Sequence, residues 1–393
     1  MVYLFSLPER TWSMKRNYVL AVLAVVVMAS FAAGEARAED AYPLAWVRQI
    51  GTTASDESLS VAVDGLGNAY ISGYTQGSLG GPFAGGYFDA FLAKYDSSGS
   101  LLWTSQLGTS DRDMSNSVAI DGSGNAYISG QTDGSLGGPN AGNWDAFLAK
   151  YDSSGSLLWT RQMGTTVDDR SCSVAVDGLG NAYISGETAG DALLAKYDSF
   201  GTLLWTRQVG TTANDLSNSV AVDGLGNAYI SGYTGGSLGG PNAGSTDAFL
   251  AKYDSSGSLL WTRQIGTTAS DVGESVAVDG LGNAYISGYT DGSLGGPNAG
   301  SRDAFLAKYD SSGSLLWTSQ IGTMADDVSY SVAVDGLGNA YISGYTGSSI
   351  GSPNAGENDA FLAKYAVPEP GTVMMVLTAL LGITTVARRK LKG

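Results

Sequence analysis

"LAWVRQIGT" at Leu44–Thr52 is the end of a repeat whose beginning is missing. The same element returns as "LLWTSQLGT" from Leu101, "LLWTRQMGT" from Leu157, "LLWTRQVGT" from Leu203, "LLWTRQIGT" from Leu259 and "LLWTSQIGT" from Leu315, each time behind a turn such as "YDSSGS". At the other end of the chain, "DAFLAKYAVPEPG" at Asp359–Gly371 breaks off where a sixth such turn belongs. A chain this repetitive therefore starts with the close of a repeat and stops after an opening.

The interval between these two fragments is periodic. "DAFLAKY" or its variant "DALLAKY" begins at Asp89, Asp145, Asp191, Asp247, Asp303 and Asp359, and "GNAYISG" begins at Gly67, Gly124, Gly180, Gly226, Gly282 and Gly338. The third unit is ten residues shorter, because a "GSLGGPNAG"-type stretch is replaced by "ETAGDALL". Such self-similarity is the mark of a repeat architecture. Each unit reads as four short strands: a ("SVAVD"), b ("NAYISGYT"), c ("AFLAKY") and d ("LLWTRQIG"). Alternating branched and small residues, separated by "DGLGN" and "DSSGS" turns, predict antiparallel hairpins. Gly and Ser interrupt every candidate helical window.

Six a, six b and six c strands are present, and the six d strands centre on Trp46, Trp103, Trp159, Trp205, Trp261 and Trp317. The spare d strand, Leu44–Ile50, precedes all the others. In a ring of units it completes the last one, Ser331–Tyr365, so that the two chain ends close the ring. The expected fold is all-β: a six-bladed β-propeller of four-stranded antiparallel blades, closed by the N-terminal strand. An open solenoid is the alternative.

The ends carry addresses rather than fold. Met14-Lys15-Arg16-Asn17 precedes the apolar run "YVLAVLAVVVMASFAA", and Ala36 and Ala38 supply small residues at cleavage spacing. Residues 1–38 therefore read as a signal peptide, with Met14 as a second candidate start and an N-terminal membrane anchor as the alternative. Residues 39–366 hold the six repeats. Residues 367–393 hold Pro368-Glu369-Pro370, the apolar run "TVMMVLTALLGITTVA" and the basic close "RRKLK". Sixteen helical residues cover about 24 Å, short against a hydrocarbon core of roughly 30 Å. The basic tail would stay cytoplasmic.

This three-part tail resembles the PEP-CTERM sorting signal, with an ordinary tail anchor as the alternative. The resemblance implies a Gram-negative bacterium, an exosortase as processing partner, transient anchoring in the inner membrane, cutting near Pro368-Glu369-Pro370, and release to the cell surface or extracellular matrix. The repeats, "VAVDGLGNAYISGYT" followed by "DAFLAKYDSSGSLLWT", resemble the SBBP β-propeller repeat of bacterial secreted proteins. That family's name implies seven blades; the count here is six. "DSSGSLLW" is also similar to the quinoprotein propeller repeat, which implies that Trp103 and its equivalents pack between neighbouring blades.

Composition narrows the function. There is no histidine, and the single cysteine, Cys172, reads as a small filler at a variable position. Ser–His–Asp and Cys–His catalysis and His-bound zinc are thereby excluded. Between the two end segments 34 Asp+Glu stand against 13 Lys+Arg, a net charge near −21, which argues against nucleic acid as a partner. Residues repeated six times read as scaffold, and Lys94 and its equivalents are expected to pair with a turn aspartate. Strands b and d run in the same direction, so the b–c and d–a loops share one face. The d–a loops bring Asp56, Asp113, Asp169, Asp215, Asp271 and Asp327 to that face, expected at the mouth of the central channel, and the b–c loops add Asp89 and its equivalents. Twelve carboxylates on one rim require hydrogen bonds or cations. Loop capping and a Ca²⁺ site are the two readings, although no Asp-x-Asp-x-Asp-Gly loop occurs. The b–c loops differ at Phe83, Tyr87, Phe88, Trp144 and Arg302, residue types on which sugar rings stack; covering neighbouring loops is the alternative role. The sequence thus points to a non-catalytic binding module for exopolysaccharide or a surface protein. A purely structural matrix protein and a carboxylate-dependent polysaccharide-active enzyme are the alternatives.

Overall fold

The structure, a computed structural model, describes residues 45–367. The signal-peptide region with Ala36 and Ala38, the Pro368-Glu369-Pro370 motif and the apolar run after it lie outside the described residues. Among the described residues no helix is long and apolar enough to cross a membrane. The chain divides into two units, residues 1–49 and residues 50–393. In the first, the described residues 45–49 form no strand, and the Arg48 guanidinium lies 5.8 Å from the Trp46 ring centre.

The described residues of the second unit are all-β. Six antiparallel sheets follow one another, five of four strands and a sixth of three. In blade 1 the strands are Asp56–Val63 (a), Ala69–Thr75 (b), Asp89–Tyr95 (c) and Leu101–Leu107 (d), and the order a-b-c-d recurs in blades 2 to 5. Blade 6 contains Asp327–Val334, Ala340–Thr346 and Asp359–Tyr365. Its strand c is a sheet edge: Leu362 is 73% exposed, while its counterpart Leu92 in blade 1 is fully buried.

Turn chemistry makes the hairpins. In the a–b turn, Asp64 Oδ1 accepts the backbone N–H groups of Leu66 and Asn68 at 2.9 Å, and Gly67 takes a φ of 79°. Asp96 does the same in the c–d turn for Ser98 and Ser100, with Gly99 at 81°. A carboxylate that collects local N–H groups and a glycine in the left-handed region define this turn.

The core lies between blades. Tyr70, Ala90 and Leu92 of blade 1 bury against Val118, Ile128, Phe147 and Tyr151 of blade 2, with Trp103 and Leu107 at the margin. Successive residues of strand c point to opposite neighbours, so one strand serves two cores. Each fully buried Phe or Leu is worth about 1.5–3 kcal/mol. Polar groups then lock the pair. The Tyr70 hydroxyl donates to Gly124 O at 3.1 Å, Trp103 Nε1 to Ser153 O at 3.2 Å, and Lys94 Nζ to the same carbonyl at 3.3 Å. The expected tryptophan role is seen: the Trp103 ring lies against the next blade's c–d turn and packs edge-on to Tyr70, with centroids 6.0 Å apart. The lysine does more than expected. Lys150 and Lys196 approach turn aspartates Asp121 and Asp177 at 3.8 and 3.9 Å, and each also crosses to the next blade's turn carbonyl.

Gly257 shows how tight this junction is. Its φ is 82°, and a Cβ there would sit 2.7 Å from the Trp205 ring. Gly257→Ala is expected to cost about 2–4 kcal/mol through left-handed strain and overpacking. Gly280→Ala, with nothing within 4 Å of the added Cβ, is the control. Urea unfolding midpoints of the two variants check this, and equal midpoints would refute it.

Candidate ligand-binding site

The face carrying the d–a and b–c loops holds the candidate ligand and metal residues, but in distinct environments. The d–a aspartates are buried caps. Asp113 Oδ2 accepts Thr109 N at 2.6 Å and Thr109 Oγ1 at 2.9 Å, while Oδ1 accepts Thr132 Oγ1 at 2.5 Å. Asp56 is held likewise by Thr52 and Thr75, and Asp169 by Thr165 and Thr188. Asp215, Asp271 and Asp327 accept the same pair of bonds from Thr211, Thr267 and Thr323. The b–c aspartates are caps as well: Asp89 Oδ2 accepts Ala84 N at 2.8 Å and Gln106 Nε2 at 2.7 Å. Both sets serve the loops by hydrogen bonding, with five of the six d–a carboxylates withdrawn from solvent rather than ringing an open mouth. Among the described residues, no group of three or more acidic, Cys or His side chains is placed to hold a metal ion.

The five loop residues separate into three places. Tyr87, 65% exposed, packs edge-on to Phe88 at 5.3 Å, and Phe88 packs on Tyr74 at 4.5 Å. Phe83 is half-buried in the same loop, its N–H donating to Ser78 Oγ. In blade 2 the Trp144 ring is covered by the Arg112 guanidinium at 4.4 Å, which itself pairs with Asp133 at 2.6 Å. In blade 5 the Arg302 guanidinium lies 4.6 Å from the Tyr289 ring centre and 3.7 Å from Asp291.

A further set escaped the sequence reading. Every a–b pair carries a register shift at one place, between the third and fifth residues of strand a. The residue bulged out is Leu59, Asn116, Cys172, Asn218, Glu274 and Tyr330 in turn. The partner strand holds a glycine there because a Cβ on Gly73 would lie 1.8 Å from Glu57 O. A bulge re-aims a side chain out of the ladder. Nearby, strand b presents Tyr74, Gln131, Glu187, Tyr233, Tyr289 and Tyr345. These two positions vary while their flanks repeat, and setting the six units one above another would have exposed them.

In blades 3 to 6 these side chains are close enough to feel one another's charge. Burial, reinforced by Glu187, pushes the Cys172 thiol up to about 11, which keeps it protonated at neutral pH. Burial raises the Glu187 carboxyl against the pull of Arg170, and raises Glu274 against Arg302. Tyr233 is raised by burial and then by Glu187 and Cys172. The short third repeat leaves a 480 Å³ cleft lined by Asn143, Asp168, Glu187, Ala189 and Gly190. Its tight b–c connection puts Ala189 at a φ of 51°.

Six segments match the family model described as SBBP, beta-propeller repeat: residues 45–80, 102–137, 158–192, 204–239, 260–295 and 316–351. Curated relatives include the regulatory protein FlaEY of Caulobacter vibrioides, 29% identical over 157 residues, 37% of this chain and 16% of that protein. The uncharacterized WD repeat-containing protein L264 of Acanthamoeba polyphaga mimivirus is 31% identical over 123 residues, 27% of this chain and 9% of the other. The matches thus span less than a fifth of either relative. Among solved structures, Sqt1 from Chaetomium thermophilum is 14% identical with a TM-score of 0.42, covering 77% of this chain and 84% of its own. A luciferin-regenerating enzyme is 13% identical with a TM-score of 0.40, covering 81% and 93%.

Asp113 offers a test of the capping role. Burial moves its carboxyl from an ordinary 3.8 up to about 6, with its threonine hydrogen bonds opposing and Asp89 adding to the rise. A raised folded value favours folding of the protonated form. The contribution is therefore complete below about pH 4 and is lost as pH rises through about 6. Asp113→Asn should lose less thermal stability than the parent between about pH 4 and pH 7. Parallel melting profiles would refute this assignment.

Proposed function

We propose, on the premise that this chain belongs to the SBBP β-propeller repeat family, that it is a non-catalytic binding propeller of the cell surface or extracellular matrix. Its ligand is exopolysaccharide or a surface protein, bound on the loop face. One observation carries the reading: on a scaffold of near-identical blades, the residues that do not repeat collect at the bulges and in the b–c loops of a single face. Scaffold positions are constrained equally in every blade; a ligand is not six-fold symmetric and requires differing residues.

Export is proposed from the two ends of the sequence: a signal peptide over residues 1–38, and a PEP-CTERM tail read by an exosortase after transient anchoring. The acidic balance agrees with a well-hydrated exported binder that does not seek nucleic acid. Ring closure belongs to the same proposal. In blade 1, Lys94 lies opposite Trp103; by the same register, Lys364 would lie opposite Trp46. A Trp46→Cys, Lys364→Cys pair in a Cys172→Ser background should then form a disulfide on mild oxidation. Failure to cross-link would count against closure.

Calorimetric titration of the protein with the producing organism's own exopolysaccharide, with Ca²⁺ and then with chelator, tests the binding reading. Saturable heat is expected, unchanged by chelator, because the d–a aspartates serve as caps. Heat that disappears on chelation would return them to a metal site. No heat in any condition would remove polysaccharide as the ligand.

A further inference from the structure

Two of the six bulged residues belong to the scaffold. Asn116 Nδ2 donates to Ser171 O and Asn218 Nδ2 to Gly273 O, both at 3.0 Å, so each asparagine clasps the next blade's strand a. Blade 5 carries Glu274 at this position, and an ionised carboxylate has no proton to donate to a carbonyl. Glu274 therefore cannot serve the clasp, and its presence at a half-buried position needs another reason.

Its surroundings are equally specific. Tyr233, Tyr289 and Tyr345 stand at one register in three successive blades, opposite Leu216, Val272 and Val328. Tyr330, the bulged residue of blade 6, packs on Tyr345 with ring centres 5.8 Å apart. The two cations of the region already have anions: Arg170 pairs with Asp168 at 3.1 Å and Arg302 with Asp291 at 3.7 Å. Glu187 and Glu274 are left as surplus acceptors, and no donor among the described residues hydrogen-bonds either carboxylate. The fully buried Asp89 and Asp113 of the same face accept two and three hydrogen bonds, although Asp89 Oδ1 has no partner among the described residues.

We infer that the bulged strands of blades 3 to 6 form one saccharide-binding site, with Glu187 and Glu274 accepting hydroxyl groups and Tyr233, Tyr289 and Tyr345 offering rings for stacking. This rests on the binding reading above and narrows it to a neutral saccharide. A region whose guanidinium charges are already matched, and which keeps two carboxylates in excess, repels uronates, phosphates and nucleic acid. Hydroxyl donors satisfy half-buried acceptors that otherwise forfeit hydrogen bonds, and aromatic rings suit the apolar faces of sugar rings. At the bulge and strand-b positions blades 1 and 2 offer Leu59, Asn116, Tyr74 and Gln131, none of them a carboxylate.

The test is titration of the full-length protein with maltohexaose, cellohexaose and chitohexaose, and with oligogalacturonate as the acidic counterpart. Saturable binding of a neutral oligosaccharide is expected, weakened at least tenfold by Glu274→Gln and by Tyr289→Ala and unchanged by Trp144→Ala. Glu187→Gln provides a second isosteric variant should Glu274→Gln melt early. Neutral binding that Trp144→Ala abolishes and both Gln variants leave intact would move the ligand to the loops, overturning this site while sparing the binding reading. Preference for oligogalacturonate, or no binding of any neutral probe, would also overturn it.

Discussion

Everything in this molecule depends on a blade being unable to cover itself. A four-stranded sheet with apolar side chains on both faces is insoluble alone, and each blade solves this with its neighbour's inner and outer strands. The decisive contact is the tryptophan of strand d pressed against the next blade's turn glycine, with tyrosine beside it and lysine bridging to a turn carbonyl. One indole thereby fixes both the angle between sheets and the identity of a residue 52 positions further on, as Trp103 does for Gly155. Stability in such an array is close to a sum of nearest-neighbour terms. The third repeat can lose ten loop residues without disturbing this, because its tryptophan and turn glycine are kept and its strand c differs only by Leu193 in place of phenylalanine.

Most of the fold was legible because turn chemistry and strand periodicity are local. "DGLGN" and "DSSGS" declare their geometry in five residues, and "DAFLAKY" declares a strand buried on both faces. Three things were not legible. Strand a begins at Asp56 rather than near Ser60, since the aspartate's bonds to Thr52 and Thr75 draw the loop into the ladder. The bulge is silent in any single repeat, its only trace being the glycine opposite. The aspartates looked like a rim because a carboxylate count carries no information about burial; the threonines four residues before and nineteen after were the missing signal. For the site, Arg302 was selected for its difference from other repeats, and the same criterion applied to strand a would have found Glu274. Cys172, read from the sequence as a filler, is half-buried among the charged neighbours Glu187, Arg170 and Glu274.

The loop face and the turn face follow different rules. On the turn face Asp64, Asp96 and their equivalents are tied to backbone N–H groups at nearly invariant distances, and the same side chains recur from blade to blade. On the loop face the aspartates are also tied, but between them the chain presents side chains that differ in number, charge and size.

The bulge separates two kinds of inheritance. A residue in the ladder is answerable to its partner strand, so changing it disturbs two blades at once. The bulged residue has no ladder partner opposite, and although Asn116 and Asn218 reach the next blade, leucine, cysteine, glutamate and tyrosine occupy the same place on the same backbone. Gene duplication can therefore multiply blades faithfully while leaving one adjustable position in each. A propeller of this kind can change what it recognises without renegotiating how it folds.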